Sequence, residues 1–546
     1  MAEHTKSTNM YFASLTASGL LVAISCIVAY HLGADINWDL QNYHFYNGYL
    51  YTHGKLIADS LGTVQSYLDP FLNSFYYILI SRLSPLEVNL VIAALQSLSL
   101  VTVYFLAMTF FREAGNVNKF TISLIVSLSA LFGPVYWSEL GGTMGDSLLA
   151  SPVIMAIILL IRMILKRESR EYCYTSSAGL LIGFVSGLKF TNMTYAVATF
   201  ISLAVCFTVM RLPYRKQFLL LVVFGLSATI AFVVTYGPVG WLLWSTFKNP
   251  IFPYFNDIFR SPYLAPYAIF DGRWFPKNIL DYLKLPLDLC VRQNTTDVNA
   301  AHLIGMEIKF RTCLFAAVFV MLPFYMFNII RRARDSEPRA MVASLFIVSF
   351  FVTSFVIWEV MFSYYRYLAV LEIIAPFTLV VMFGSFHGSF YKDGDLSTAM
   401  AILVLLLSLY SLPESTWGRE PFSSSYFGIH KSTFKEYKNS LLVVGHAPLG
   451  FVLPYFPSDN HIIGLPERIG RLRNKFQHSY LKILKTFSGP IYYLTEFNPS
   501  LSIARKHSQF LDDVYHLKIE FDTCKQIKTS IYPVAICEMK KSEEDE

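Results

Sequence analysis

The chain reads as an α-helical polytopic membrane protein that ends in a small α/β domain, and three observations predict this. Of its 546 residues, 54% are hydrophobic and 15% charged, with a mean hydropathy of +0.44, whereas a soluble domain carries roughly a quarter charged residues. Apolar runs recur that are long enough to cross a ~30 Å hydrocarbon core, which takes about 20 helical residues. Beyond residue 412 the pattern changes to short strand-like runs and one amphipathic helix. The net charge of +6 is gathered in short loops, where basic residues report topology rather than nucleic-acid binding.

About eleven spans follow from the hydropathy pattern, at 11–31, 86–111, 120–137, 147–165, 176–188, 191–210, 218–237, 313–330, 341–358, 368–383 and 397–412. The first follows a short polar start with Lys6 and lacks a small-residue cleavage site, so it reads as an uncleaved span. Residues 70–83 are apolar on one side but too short to cross, which predicts a juxtamembrane helix. A cytoplasmic N-terminus puts Arg112, Lys119 and the basic clusters at 162–170, 211–216 and 331–339 inside. The short opposite loops, 138–146 and 359–367, carry only Arg366. The outer face then holds the loops 33–85, 138–146 and 239–311. The domains are a transmembrane part, 1–412, and an extracytoplasmic α/β tail, 413–546. In that tail 440–445, 490–494 and 532–537 read as strands and 500–511 as an amphipathic helix.

Cys26 and Cys206 lie in apolar runs, and no Cys/His spacing suggests zinc. Cys524 and Cys537 would face an oxidising compartment in the last hairpin, as a disulfide or as two unpaired thiols. Asn294-Thr295-Thr296 is a sequon on the same face, relevant only in a eukaryotic secretory route.

The chemistry-bearing stretch is Ala34 to Tyr46, just past the first span. Asp35 and Asp39 are carboxylates at the interface, where they stay hydrated and avoid the ~2.5–3.5 kcal/mol cost of a charge at mid-bilayer. If a helix began there, Asp35, Asp39 and Tyr43 would stack on one face, with Tyr43, His44 and Tyr46 offering ring surfaces for a sugar. The plain structural reading is a helix cap beside an aromatic interfacial belt. Glu139 and Asp146 share the next outer loop with Gly141, Gly142 and Gly145, glycines that let backbone approach a ligand. Arg366, between Tyr365 and Tyr367, is the residue type that grips phosphate oxygens or snorkels to headgroups. Lys189 either binds phosphate or ends its span.

Three stretches carry a family likeness: 39–47 with Ser66-Tyr67-Leu68-Asp69-Pro70, 249–256 with Phe259-Arg260-Ser261-Pro262, and Arg366-Tyr367. Over about residues 11–412 the chain resembles the GT-C superfamily of multi-spanning glycosyltransferases that use polyprenyl-phosphate-linked sugars, in a bacterial branch. The resemblance implies a GT-C-like fold and Asp39 as catalytic base, with Asp35 as the other candidate. It also implies Glu139 and Asp146 as a second acidic loop and Arg366 on the donor phosphate. Lys189 and Arg260 are further phosphate or lipid candidates, and Tyr67 joins Tyr43, His44 and Tyr46 on the sugar side.

The expected activity is therefore inverting transfer of a monosaccharide from a polyprenyl-phosphate donor to a surface glycan or glycolipid, such as lipopolysaccharide O-antigen, outside a bacterial inner membrane. Membrane lipid, the donor and the acceptor would be its partners, along with a polyprenyl-phosphate glycosyltransferase and a flippase of one pathway. No cofactor is required by the sequence, and nothing in it supports a divalent cation. No phosphate-binding glycine loop occurs in a strand–turn–helix context, which disfavours direct use of a nucleotide sugar. The competing class is a transporter or flippase of lipid-linked saccharides, for which Glu372, early in the 368–383 span, is the main charged feature. A scaffold role would leave the acidic loops unexplained.

Overall fold

The computed structural model describes the chain except residues 1, 167–169, 270, 292–309, 333–337, 386–393, 414–415, 431, 447, 466–474 and 543–546. The Asn294 sequon lies outside the described residues, as do parts of the basic clusters at 162–170 and 331–339.

Eight helices among the described residues are long and apolar enough to cross a membrane: Met10–Leu32, Pro85–Phe110, Asp146–Leu165, Phe190–Val209, Tyr214–Phe247, Leu314–Arg331, Arg339–Met361 and Tyr365–Gly384. The protein is an integral membrane protein built on these helices. The other three predicted spans are also helices, Asn116–Leu131, Glu171–Leu188 and Gly394–Leu409, but they do not reach that measure. The predicted juxtamembrane segment is the helix Phe71–Arg82.

The chain forms two compact units. The first comprises 1–32, 89–236 and 271–417, and the second 33–88, 237–270 and 418–546. The first unit is helical. Its Ala369–Gly384 helix is buried along nearly its whole length, as expected of an apolar run with no polar face. The Glu171–Leu188 helix carries Gly179, Gly183 and Gly187 at four-residue spacing. A Cβ at these positions would overlap Phe224, Ala228 and Thr235 of the Tyr214–Phe247 helix. This small-residue stripe lets two backbones meet, the packing that association in lipid relies on.

The second unit combines the first outer loop with the tail. A two-stranded ribbon pairs β1 (Ala34–Asp35) with β2 (Arg419–Glu420). The main sheet contains β3 (Leu441–Val444), β4 (His461–Gly464), β5 (Ile491–Glu496), β6 (Leu517–Ile519), β7 (Lys525–Ile527) and β8 (Val534–Lys541). Its order is β4-β3-β5-β8-β6 with β7 on β8. The first three strands are parallel, and the pairings with β8 are antiparallel. The predicted amphipathic helix is Ser502–Tyr515. Residues 40–45 pack on the tail: Phe451 N–H donates to the Gln41 carbonyl at 2.8 Å, and Phe45 lies 5.4 Å from Phe427. Gly450 abuts the Asn42 carbonyl, where a Cβ would not fit. The 33–85 loop is thus folded onto the domain that the sequence places more than 300 residues later, about residues 413–546.

Two disulfides occur. Cys524–Cys537 ties the β7–β8 hairpin, and Cys290–Cys313, which has no counterpart among the sequence expectations, joins the two flanks of the 292–309 segment. Closing a loop of this size stabilises by about 3 kcal/mol. The Cys524→Ser/Cys537→Ser protein should unfold its tail at correspondingly lower denaturant, measured by limited proteolysis of the full chain. An unchanged midpoint would show that the sheet is closed without the bond.

Candidate active site

The predicted site residues divide between the two units, and four of them meet in the first. Asp146 opens the Asp146–Leu165 helix, Lys189 immediately precedes the Phe190–Val209 span, and Arg366 lies in the turn that opens the Tyr365–Gly384 span. Three membrane-length helices therefore start at one cluster and run away from it. Lys189 Nζ stands 2.6 Å from Asp146 Oδ1, and Arg366 Nε stands 3.4 Å from Asp146 Oδ2. Lys189 also donates to the Met144 carbonyl at 3.1 Å, and Arg366 Nη1 contacts the Met144 sulfur. Tyrosine rings flank both cations: Lys189 is 5.5 Å from the Tyr367 centroid, and Arg366 is 5.4 Å and 5.6 Å from Tyr364 and Tyr367.

Glu139 completes the cluster at the end of the short helix Pro134–Glu139. Its Oε2 accepts the Ser147 N–H at 2.8 Å. Its Oε1 and the Ser147 hydroxyl are buried with no hydrogen-bond partner among the described residues. Burial, then the neighbouring Asp146 carboxylate, hold the Glu139 carboxyl well above its ordinary range, against the opposing pull of Lys189 and Arg366. A protonated Glu139 leaves one anion facing two cations. The cluster then sets the Asp146 carboxylate against two cations, beside the buried Glu139 Oε1 and Ser147 hydroxyl.

Neighbouring side chains explain how this loop is held. Gln96 donates to the Glu139 and Gly142 carbonyls at 3.0 and 3.3 Å and accepts the Gly141 N–H at 2.7 Å. Gly141 takes φ +73° against Asn89, and Gly145 takes φ +87° before the helix. These two glycines serve the turn itself, whereas the sequence suggested backbone approach to a ligand. Glu372 accepts the Val135 and Tyr136 N–H groups at 3.0 Å each and the Tyr365 hydroxyl at 2.7 Å. It caps the helix that delivers Glu139, a role with no sequence signal beyond a charge in a span.

The other candidates belong to the second unit, where the expected single helical face for Asp35, Asp39 and Tyr43 does not form. Gly33, at φ +89°, ends the first span and turns the chain into β1, so Asp35 pairs with Arg419 in a ribbon. Both Asp35 oxygens accept from Asn37 Nδ2 at 2.8 Å, and Oδ1 also accepts the Asn37 N–H at 3.0 Å. Asn37 Oδ1 in turn takes the Leu40 N–H at 2.8 Å. Asp35 therefore fixes the residue that starts the following helix and is itself buried. Asp39 sits half-buried in that first turn, just before a π-helical turn, Leu40–His44, and the helix Phe45–Thr52. Single π turns are rare and concentrate at functional sites.

The aromatic candidates are interior groups, not open ring faces. Tyr43 and His44 pack edge to face at 4.5 Å, and both are buried. The Tyr46 hydroxyl donates to the Asp59 carbonyl at 2.7 Å. Tyr67 is wedged between Phe247 and Phe252 at 5.0 and 5.2 Å. Burial raises the Tyr46 and Tyr67 hydroxyl pKa values. Contact to a sugar through these rings needs them exposed, so their present part is packing. Arg260 is exposed at the end of a short helical turn.

Asp69 belongs to a stretch that carried the family likeness but was given no role there. Its Oδ1 accepts the Phe71 N–H at 2.8 Å, while Oδ2 is buried without a hydrogen-bond partner among the described residues. Burial pushes its carboxyl up to about 7, a value suited to proton transfer at neutral pH. An acid before Pro70 and a helix reads in sequence as a cap, which is the role Oδ1 plays.

No family model matches the sequence, and no curated protein matches it. Among the described residues no cluster of three or more His, Cys, Asp or Glu could hold a metal ion. Among solved structures, the chain is similar to ArnT from Cupriavidus metallidurans bound to undecaprenyl phosphate, at 11% identity and a TM-score of 0.47, over 95% of this chain and 97% of that one. It is likewise similar to the apo form of that protein, at 12% identity and a TM-score of 0.48 over the same shares. An Archaeoglobus fulgidus oligosaccharyltransferase in complex with Zn and sulfate matches at 12% identity and a TM-score of 0.41, over 87% of this chain and 68% of that one.

Proposed function

We propose that the protein is a GT-C-type membrane glycosyltransferase that moves a monosaccharide from a polyprenyl-phosphate-linked donor to a cell-surface glycan or glycolipid, such as O-antigen. The observation that carries this reading is the cluster of buried Glu139, Asp146 and Arg366 with half-buried Lys189 at the start of three membrane-length helices. A sugar linked to a lipid through one phosphate is a monoanion with an apolar tail. A site with one excess positive charge at the mouth of apolar helices fits both parts. Arg366 and Lys189 would hold the phosphate and stabilise it as leaving group, and Asp39 would take the proton of the acceptor hydroxyl.

Two disulfides lie in, or at the membrane edge of, the segments assigned outside by the positive-inside pattern, which supports a cytoplasmic N-terminus and an extracytoplasmic tail. The exposed free thiol Cys173 lies on the opposite, basic side of that assignment.

Undecaprenyl phosphate, the lipid held by the ArnT structure, is the carrier for the test. Purified protein in vesicles is given undecaprenyl-phosphate-linked radiolabelled sugars and a glycolipid acceptor extract. Transfer that falls when Arg366 is replaced by Ala is the expected result. Movement of the intact donor across the bilayer, with no glycan product from any sugar, would favour the transporter reading and overturn this one.

A further inference from the structure

The helix Ile279–Asp288 presents three faces where a water-soluble helix has two. Ile279, Leu280, Leu283 and Leu287 are 81%, 52%, 73% and 47% exposed. With 3.6 residues per turn they fall within an arc of about 100°. Leu285, Pro286 and Leu289 are buried on an adjoining face, where the helix packs on Leu314–Arg332. Asp281, Lys284 and Asp288 occupy the sector between. A surface helix turns its apolar stripe to the core and its polar residues to water. Here one apolar stripe is already used in that way, and a second, made of four large aliphatic side chains, is exposed among the described residues.

The stripe cannot swing inward, because both ends of the helix are fixed. Asn278 Oδ1 caps the first turn, accepting the Leu280 and Asp281 N–H groups at 3.0 and 3.1 Å. At the other end the Thr312 N–H donates to the Leu289 carbonyl at 2.8 Å, and Cys290 is bonded to Cys313. Before the helix Trp274 packs on Tyr364, with centroids 6.3 Å apart. Beyond it Phe310 packs on Tyr365 at 5.9 Å.

The disulfide also sets the level of the helix. Leu314, the residue after Cys313, opens the membrane-length helix Leu314–Arg331, whose Val320, Phe324 and Phe327 are exposed. The helix thus leads, through the disulfide, into a span whose apolar side chains are exposed. An amphipathic helix with aliphatic residues on one side and charges on the next is suited to lying in the interface plane.

We propose that Ile279–Asp288 is an interfacial helix at a junction of protein, water and lipid, with Ile279, Leu280, Leu283 and Leu287 seated among bilayer acyl chains. This is independent of the transferase reading, and its test needs no activity. In a Cys173→Ser background of the full chain, Leu283→Cys and Lys284→Cys are each labelled with a nitroxide. The proteins are placed in vesicles of phosphatidylethanolamine and phosphatidylglycerol. Relaxation by oxygen, which concentrates in the bilayer, is compared with relaxation by a water-soluble nickel chelate. The oxygen-to-nickel ratio at 283 should exceed that at 284 by roughly five-fold or more if the stripe lies below the headgroups. Equal ratios would place the stripe in water and overturn the proposal. A label at 283 shielded from both reagents would mean that protein covers it, and would overturn the proposal equally.

Discussion

Asp39→Asn is expected to lower sugar transfer from a polyprenyl-phosphate donor by about 10²–10⁴-fold, the usual worth of a positioned general base, with folding unchanged. Asp39 is half-buried in the first turn of its helix, so an isosteric amide removes basicity while keeping shape. Asp35→Asn should behave differently. The Asp35 carboxylate accepts three hydrogen bonds from Asn37, the residue that starts this helix. Weakening those charge-assisted bonds costs about 1–3 kcal/mol and should show as lower thermal stability, with the folded fraction retaining its turnover. Side-by-side assays of both proteins, each with its melting curve, decide the matter. Full activity in Asp39→Asn, or catalytic loss without destabilisation in Asp35→Asn, would reverse the assignment.

Much of the helical part was legible because a bilayer-crossing helix is nearly a composition statement: length, apolarity and few charges suffice. The glycine spacing that packs Glu171–Leu188 was also present, although hydropathy alone made that segment look short. In the tail, β3, β5 and β8 could be read from local pattern, whereas β4, β6 and β7 are too short or too polar to stand out. What stayed hidden was non-local. Nothing near Gly33 announces that Ala34 and Asp35 pair with Glu420 and Arg419, and without that pairing a helical face through Asp35 and Asp39 looks natural. Tyr43, His44, Tyr46 and Tyr67 look like sugar platforms as a list of residue types. Their burial follows from partners scattered along the chain, such as Asp59, Tyr76, Phe247 and Phe252.

Glu372 shows the same limit from the other side. As a charge early in a span it was the chief sequence support for transport, since intramembrane ionisable groups mark ion and substrate paths. Its two oxygens are instead engaged by Val135, Tyr136 and Tyr365. They satisfy N–H groups that the start of a buried helix would otherwise leave open. A fixed cap of this kind explains the carboxylate without a moving ion, and the helix it caps ends at Glu139.

The cluster at that helix's end makes the second large prediction, a dependence on pH whose sign differs between the parent protein and one variant. Asp146→Ala removes the anion between Lys189 and Arg366, and breaking a buried pair in this way costs about 3–5 kcal/mol. Glu139 can offset the loss. Its carboxyl is held up partly by the Asp146 charge, so without Asp146 it ionises more readily and becomes the counterion. Asp146→Ala should therefore be most damaging in mild acid, where Glu139 stays neutral, and recover as pH rises. In the parent protein the sign is reversed. A raised folded pKa on an acid means that the folded state keeps a proton the unfolded state has released. That contribution is complete below the ordinary glutamate range and fades as pH climbs through the raised value. Over the same window the ionising Glu139 cancels the excess positive charge, so the donor KM should rise, on the order of ten-fold for a 1.4 kcal/mol change. Glu139→Gln keeps the neutral form and should flatten both profiles. Combined with Asp146→Ala it should lose more stability at neutral pH than the two single changes added together. Melting curves and donor KM across pH for the four proteins measure this. Additive stability losses with an unchanged KM profile would mean that the two carboxylates do not share their cations.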